Sequence, residues 1–285
     1  MTIRDVFVPL FQGIAFDSQL EVAADVALRL QAHTNVVFTR PDPFIAAAMV
    51  PEMIAATGVV AEAIETEGKR AEAAALEAFN RWRTAYGLVA EDGAAPADSI
   101  AAAWHERIGS IAATVVEVGR LSDLAIIPQP DPYEIATEEA FAAAVFETGR
   151  PAIVTPTRVR QSIFHHIVVA WNGSLQAARA INGAMPLLRQ AEKVSIFAPS
   201  EDTEAINYRR GLIEHLSWHG IEAEYLHTDD KPADVGKALT NSAAATHATM
   251  IVMGAYSHSR IREAVLGGVT RHVLKHTDIP VLMMH

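Results

Sequence analysis

Short apolar runs alternate with longer helical patterns along the whole chain, and this alternation restricts the fold more than any other feature of the sequence. It is the pattern of βαβ units, which build a parallel sheet. It predicts strands at Val6–Leu10, Val36–Thr39, Leu88–Ala90, Ala125–Ile127, Ala152–Thr155, Ile167–Ala170, Val194–Phe197, Ala223–Leu226, Met250–Met253 and Val281–Met284. It predicts helices at Ser18–Ala32, Glu52–Tyr86, Ser99–Arg120, Leu175–Gln190, Thr203–His219, Ala233–Thr246 and Gly268–His276.

The two halves of the chain carry the same landmarks in the same order, which indicates an internal repeat. Each half begins with a strand that leads into an aromatic residue, a side-chain amide and a glycine. A polar segment with a proline, Thr155–Arg160, lies between the halves and is the expected linker. We therefore expect two α/β domains, at residues 1–156 and 162–285. The matched segments are Phe7–Gly13 with Ile167–Gly173, Leu124–Pro128 with Thr249–Met253, and Gly149–Val154 with Asp278–Met283.

Composition excludes several classes of function. The net charge of −11 argues against a surface for nucleic acid or anionic lipid. No apolar run approaches the roughly 20 residues that span a bilayer, and the N-terminus lacks the features of a signal peptide. The chain has no cysteine, which excludes disulfides, a thiolate nucleophile and a cysteine-ligated metal. We expect a cytoplasmic protein that binds neither nucleic acid nor membrane.

The end of the chain carries the clearest indication of a ligand. The predicted strand Met250–Met253 leads into a loop that begins at Gly254, and a glycine pair, Gly267-Gly268, precedes the last helical pattern. A glycine loop after a strand, with glycines at a helix start, leaves backbone N–H groups free to hold an anion such as phosphate. The alternative is that these glycines are ordinary turn and cap residues.

The first half differs at the corresponding loop. Its predicted fourth strand is followed by the proline-rich segment Pro128–Tyr133. Proline fixes φ near about −65° and removes the backbone N–H donor. We therefore expect a phosphate cradle in the second half only.

The tail of the chain, together with Ala170-Trp171-Asn172-Gly173-Ser174, resembles the universal stress protein family. The resemblance covers Phe164–His285 and extends more weakly, through the repeat, to Ile3–Pro156. It implies two tandem flavodoxin-like (HUP-type) domains, each a five-stranded parallel sheet with helices on both faces. It also implies that the last strands, Ala152–Thr155 and Val281–Met284, pair with each other and form an internal pseudo-dimer.

Nucleotide-binding members of this family carry the motif G-x2-G-x9-G-S/T between the fourth strand and the last helix. Gly254 and Gly267 match its first and third glycines, whereas Ser257 stands at the second glycine and Gly268 at the Ser/Thr position. Asn172 stands where the family often has an aspartate near the ribose. The resemblance implies that ATP, ADP or AMP, with Mg²⁺, binds as a signal with slow or no hydrolysis. The candidate binding residues are Ala170, Asn172, Gly254, Ser257, His258, Gly267, Gly268, Val269 and Thr270.

Two other functions remain open at the level of sequence. One is an interaction or scaffold protein in which both sites have lost nucleotide binding, and the other is a weak ATPase. No nucleophile, base and acid set is recognisable, so no catalytic residue is assigned. His272 and His276 share a helix face, but no third metal ligand is evident, so no metal site is assigned. A protein partner of unknown identity and a homodimer of tandem chains are further expectations.

Overall fold

The fold of the chain is described by a computed structural model, which covers residues 2–48, 57–90, 100–198, 203–226, 234–255 and 268–285, with only the backbone for residues 203–209. The strands are β1 (Asp5–Phe11), β2 (His33–Arg40), β3 (Val89–Ala90), β4 (Ala101–Ile108), β5 (Leu124–Pro128), β6 (Ala152–Thr155), β7 (Ile167–Ala170), β8 (Val194–Phe197), β9 (Ala223–Tyr225), β10 (Met250–Gly254) and β11 (Val281–Met284). The helices are α1 (Asp17–Leu30), α2 (Pro43–Ala48), α3 (Thr57–Ala85), α4 (Ile111–Gly119), α5 (Ile135–Ala142), which continues as a π-helical turn over Ala143–Glu147, α6 (Leu175–Leu188), α7 (Thr203–Trp218), α8 (Val235–Ala245) and α9 (Gly268–His276). No helix within these ranges is long and apolar enough to cross a membrane.

The described strands form one continuous sheet in the order β3-β4-β2-β1-β5-β6-β11-β10-β7-β8-β9. Strands within each half are parallel. Five strands in each half follow the same order, β4-β2-β1-β5-β6 in the first and β9-β8-β7-β10-β11 in the second. Numbered within each half, this order is 3-2-1-4-5, one of the common orders of doubly wound α/β sheets. The predicted fold class, two tandem flavodoxin-like domains, is confirmed, and β3 adds a short extra edge strand to the first.

The sequence prediction missed two helices, α2 and α5, and one predicted helix is wrong in part. The prediction of a helix over Ser99–Arg120 is wrong in its first part. Residues Ala101–Ile108 form strand β4, which pairs with β2. The helical part begins only at α4, where the Ser110 hydroxyl accepts a hydrogen bond from Ala113 N at 3.3 Å. Leu88–Ala90, which was expected to be the third strand, contributes only the edge strand β3. Pairing with a long neighbouring strand thus overrides the weak strand propensity of an alanine-rich, charged segment.

Both faces of the sheet are buried. Neighbouring residues on a strand enter opposite hydrophobic clusters: Val8 and Val169 lie in one, and Phe7 and Val168 lie in the other. Each cluster contains residues from both halves of the chain. A parallel sheet covered by helices on both faces needs such continuous apolar strands, which explains why the apolar runs do not alternate.

The two halves are joined through their last strands. β6 and β11 pair antiparallel, with Ile153 opposite Leu282, Ala152 opposite Met283 and Val154 opposite Val281. Ile153 and Leu282 are equivalent positions of the repeat and both are fully buried. A pseudo-twofold axis therefore passes between these two residues, which confirms the predicted internal pseudo-dimer.

The segment that joins the halves runs along α1. The Ser162 hydroxyl and Ile163 N donate hydrogen bonds to the Asp25 carboxylate, at 2.8 and 2.7 Å. Arg29 lies over the ring of Phe164, 5.6 Å from its centroid. The segment directly after the linker is therefore held on α1 of the first domain before the chain enters β7.

A buried histidine connects strands and helix at the start of the second half. His166 Nδ1 lies 3.0 Å from Thr246 O and Nε2 lies 2.8 Å from Ser195 Oγ. A carbonyl can only accept, so Nδ1 carries the proton and Nε2 accepts from the Ser195 hydroxyl. Burial holds the pKa of His166 below its ordinary value, because charging the ring inside the domain is costly.

We expect His166 to make the folded state less stable in mild acid. The unfolded chain takes up a proton near its ordinary pKa of about 6.5, whereas the folded chain does so only at lower pH. The free energy of unfolding should therefore fall as the pH drops below about 6.5, and His166→Gln should remove part of this dependence. Urea unfolding at pH 8 and pH 5 measures it, and an unchanged difference in the variant would contradict the assignment.

The strand pair at the pseudo-twofold axis is expected to contribute strongly to stability. Leu282→Ala removes a fully buried side chain and should lower the free energy of unfolding by about 2–5 kcal/mol. Leu121 is 84 % exposed, so Leu121→Ala is the control and should change it by less than about 0.5 kcal/mol. Denaturant unfolding followed by circular dichroism distinguishes the two, and equal losses would argue against a critical strand pair.

Candidate ligand site in the second half

The sheet order of the second half creates a crevice at one place. β7 lies between β10 and β8, and the chain leaves β7 towards β8 and later returns to β10 on the other side. Met250 lies opposite Ile167 and Val252 opposite Val169. The carboxyl ends of β7 and β10 are therefore adjacent, at a topological switch point where doubly wound sheets bind ligands.

The loop after β7 is a hydrogen-bonded turn that starts helix α6. Gly173 has φ 72°, a conformation that favours glycine. Asn172 Oδ1 accepts from Ser174 N at 3.1 Å, and the Ser174 hydroxyl accepts from Ala177 N at 3.2 Å as the helix cap. Asn172 is exposed, and its amide nitrogen has no hydrogen-bond partner among the described residues. The side chain of Asn172 thus shapes the turn with its oxygen and keeps a donor free.

Gly254, at the end of β10, is a glycine because of close packing. A Cβ atom at this position would lie 2.5 Å from Ala177 N and 2.6 Å from the carbonyl carbon of Gln176. These are backbone atoms of the first turn of α6, so a side-chain rotation cannot relieve the clash. The absence of a side chain lets the end of β10 approach the N-terminal end of this helix.

The start of α9 lies at the same edge of the sheet, because a helix that connects two parallel strands runs antiparallel to them. Gly268 and Val269 are exposed there, whereas Thr270 is buried. A Cβ atom on Gly268 would meet nothing within 4 Å. Close packing therefore does not require a glycine at position 268, whereas it does at position 254.

The structure brings the described candidate residues to one edge of the second sheet: Ala170 and Asn172 after β7, Gly254 at the end of β10, and Gly268, Val269 and Thr270 at the start of α9. Ser257, His258 and Gly267, the other candidates, lie outside the described residues. Their place in the site remains a prediction.

Trp171 is a residue of this edge that sequence reasoning treated only as a landmark of the repeat. Its backbone N donates to Phe197 O at 2.9 Å, so Trp171 follows β7 directly and continues its pairing with β8. Its indole Nε1 is buried and has no hydrogen-bond partner within the described part of the chain. A buried donor without a partner is costly, which makes Trp171 a candidate contact for a ligand.

The first half uses the equivalent loop differently. Pro128 lies opposite Thr155 as Gly254 lies opposite Met284, so proline occupies the position of Gly254. The sequence match that set Leu124 against Thr249 is thus one residue out of register, since Leu124 corresponds to Met250. The next residue, Gln129, donates from its side-chain amide to the backbone oxygen of Leu274 in α9. This loop makes a contact between the domains.

The two histidines on α9 pack on each other. The rings of His272 and His276 stack with centroids 4.2 Å apart, and His272 Nδ1 lies 3.9 Å from Asp234 Oδ2. The described residues contain no group of three or more potential ligands that could hold a metal ion.

A family model matches the part of the chain that contains this site. A family model of the universal stress protein family matches residues 163–285. The second half of the chain belongs to the universal stress protein family. A search among curated proteins gave no match.

Solved structures extend the similarity in fold over the whole chain. A universal stress protein from Archaeoglobus fulgidus DSM 4304 superposes with a TM-score of 0.69 at 16 % identity, covering 98 % of this chain and 97 % of that one. A protein of unknown function from Pseudomonas aeruginosa PAO1 superposes with a TM-score of 0.57 at 15 % identity, covering 99 % and 92 %. The first half thus shares the fold of the universal stress protein domain that follows it.

The two glycines of this domain are expected to respond differently to substitution. Gly254→Ala places a methyl group against the backbone of α6 and should destabilise the protein by about 1–3 kcal/mol. Gly268→Ala enters open space and should not destabilise it, because alanine is also favoured in a helix. Thermal unfolding of both variants measures the difference, and an equal response would contradict the packing role of Gly254.

Proposed function

We propose that the universal stress protein domain binds an adenine nucleotide, ATP, ADP or AMP, with Mg²⁺ accompanying the phosphates, and that the nucleotide acts as a regulatory signal. The observation that carries this proposal is the convergence of the loop after β7, the end of β10 and the start of α9 at one switch point. The sequence matches two of the four motif positions of the family, Gly254 and Gly267, and Gly254 lies at this switch point. The proposal assigns no hydrolysis to the site.

The chemistry of the described residues supports roles for several groups. Gly268 and Val269 begin α9 and are exposed, so their N–H groups and the positive end of the helix dipole favour a phosphate. The free amide donor of Asn172 suits a ribose hydroxyl, although a neutral amide supplies no charge. The unpartnered indole Nε1 of Trp171 suits an acceptor on the base or the ribose.

A specific observation favours a second function, that of an interaction protein without a nucleotide. Asn172 Oδ1, the acceptor that would replace the family's carboxylate, is used by Ser174 N within the turn. Gly268 also lacks the hydroxyl of the family motif. The two functions differ in whether the protein binds ATP·Mg²⁺.

The decisive variant is Gly268→Ser, which introduces the missing hydroxyl at a position with open space. If the site binds a nucleotide, the added hydrogen bond should raise the affinity for ATP·Mg²⁺ by about 5-fold, since such a bond contributes about 1 kcal/mol. Gly211→Ser is the matched control, because Gly211 is an exposed helical glycine of α7 that also has open space. Calorimetric titration measures the affinities, and tryptophan fluorescence compared with Trp171→Phe tests the position of the ligand.

The purified protein should also carry adenine nucleotide that mass spectrometry detects after denaturation. Absence of bound nucleotide, together with no binding of ATP·Mg²⁺ to either the unchanged protein or Gly268→Ser, would overturn the proposal. That result would favour the interaction protein.

A further inference from the structure

A cavity lies on the edge of the universal stress protein domain that is opposite the candidate ligand site. It has a volume of about 520 Å³, is open to solvent, and is lined by the linker (residues 156–161), the end of α8, the end of α9 and Gln129 of the first half. Thr249 and Pro280, which precede β10 and β11, also line it, so it lies at the amino edge of these strands. Small-molecule sites commonly have volumes of about 300–1,000 Å³.

The walls of this cavity carry an excess of positive charge. Arg158 and Arg160 of the linker and Lys275 of α9 line it, and Asp278 is the one carboxylate among its lining residues. Within the described part of the chain, none of the three cations forms an ion pair or a hydrogen bond. This is unexpected in a chain with 34 acidic and 23 basic residues, where carboxylates are abundant.

The neighbouring structural elements do not use these cations. The last carbonyls of α8 accept hydrogen bonds from His247 N at 3.1 Å and Ala248 N at 2.8 Å, and Leu274 O of α9 accepts one from the side chain of Gln129. These helix ends are therefore capped by other groups. On the far side of the linker, Arg158 and Arg160 also line a pocket with Asp17 and Glu21 of α1. Neither carboxylate forms an ion pair with them within the described residues, and Glu21 accepts a hydrogen bond from the Tyr86 hydroxyl.

We propose that this cavity binds a small multivalent phosphate such as tripolyphosphate. Arg158 and Arg160 present planar guanidinium groups, which match two oxygens of a phosphate, and Lys275 adds a point charge from the facing wall. Three cations and one carboxylate leave two positive charges, which suits a ligand with several negative charges. The bound anion would hold the linker against α9. This site is independent of the proposed nucleotide site, which lies at the carboxyl edge of the same strands.

The test is a calorimetric titration of the full chain with tripolyphosphate, at low salt and at physiological salt. The triple variant Arg158→Ala, Arg160→Ala, Lys275→Ala should lose on the order of 100-fold in affinity, because it removes every cation of the site. The affinity of the unchanged protein should fall as salt is raised. The matched control is Arg70→Ala, Arg107→Ala, Arg210→Ala, which removes three exposed cations elsewhere and changes the net charge equally.

Three results would overturn the proposal. If both triple variants lost affinity for tripolyphosphate equally, the anion would be attracted by the overall charge of the protein and not by a specific site. Citrate that binds more tightly than tripolyphosphate would contradict the phosphate assignment. The third result is that Gly268→Ser raises the affinity for tripolyphosphate while the triple variant at Arg158, Arg160 and Lys275 leaves it unchanged. The anion would then bind at the carboxyl edge. A failure of nucleotide binding leaves the proposal standing, since ATP is not the probe.

Discussion

Antiparallel pairing of β6 with β11 determines how the two halves face each other. Both strands are apolar and nearly fully buried, and alone each would be an exposed sheet edge, which is prone to aggregation. Pairing the two edges removes this liability for both halves at once. Because the pairing is antiparallel, the second half is turned over, and the carboxyl edge of the first half lies beside the amino edge of the second. The contact from Gln129 to α9 and the cavity beneath the linker both follow from this inversion.

The two halves have diverged at the position that decides whether a ligand loop can form. Gly254 allows the end of β10 to approach the backbone of α6, whereas Pro128 occupies the equivalent place in the first half. A proline ring cannot enter the space that Gly254 leaves open, and it offers no N–H. The first half therefore retains the fold without this loop, and it contributes the linker and Gln129 to the surface of its neighbour.

Sequence patterns predicted the second half closely because its strands are continuous apolar runs bounded by polar segments. β7, β8 and β11 begin and end where the pattern places them. β4 was missed because Ala101–Ile108 is rich in alanine and charged residues, and its strand conformation depends on pairing with β2, which lies far away in sequence. The shift of one residue in the repeat has a related cause. Where neighbouring residues of a strand are all apolar, the pattern does not define which of them faces which side.

The candidate site was predictable only in outline. The βαβ pattern predicts a doubly wound sheet, but such sheets occur with more than one strand order, and the switch point depends on the order. The reason for glycine at position 254 was not visible, because it depends on a helix that begins far from it in sequence. Within the described part of the chain, the indole nitrogen of Trp171 and the cations around the linker have no hydrogen-bond or ion-pair partner. The sequence could not show this, because it depends on which groups the fold places beside them.

The covalent linker between the halves has a consequence for how the edge pairing responds to concentration. Two separate domains that met through the same strands would dissociate on dilution, whereas domains tethered by a few residues keep an effective concentration in the millimolar range. The pairing at Ile153 and Leu282 is therefore maintained however little protein is present. Substitutions in the ligand loop of one domain therefore do not separate it from the other domain.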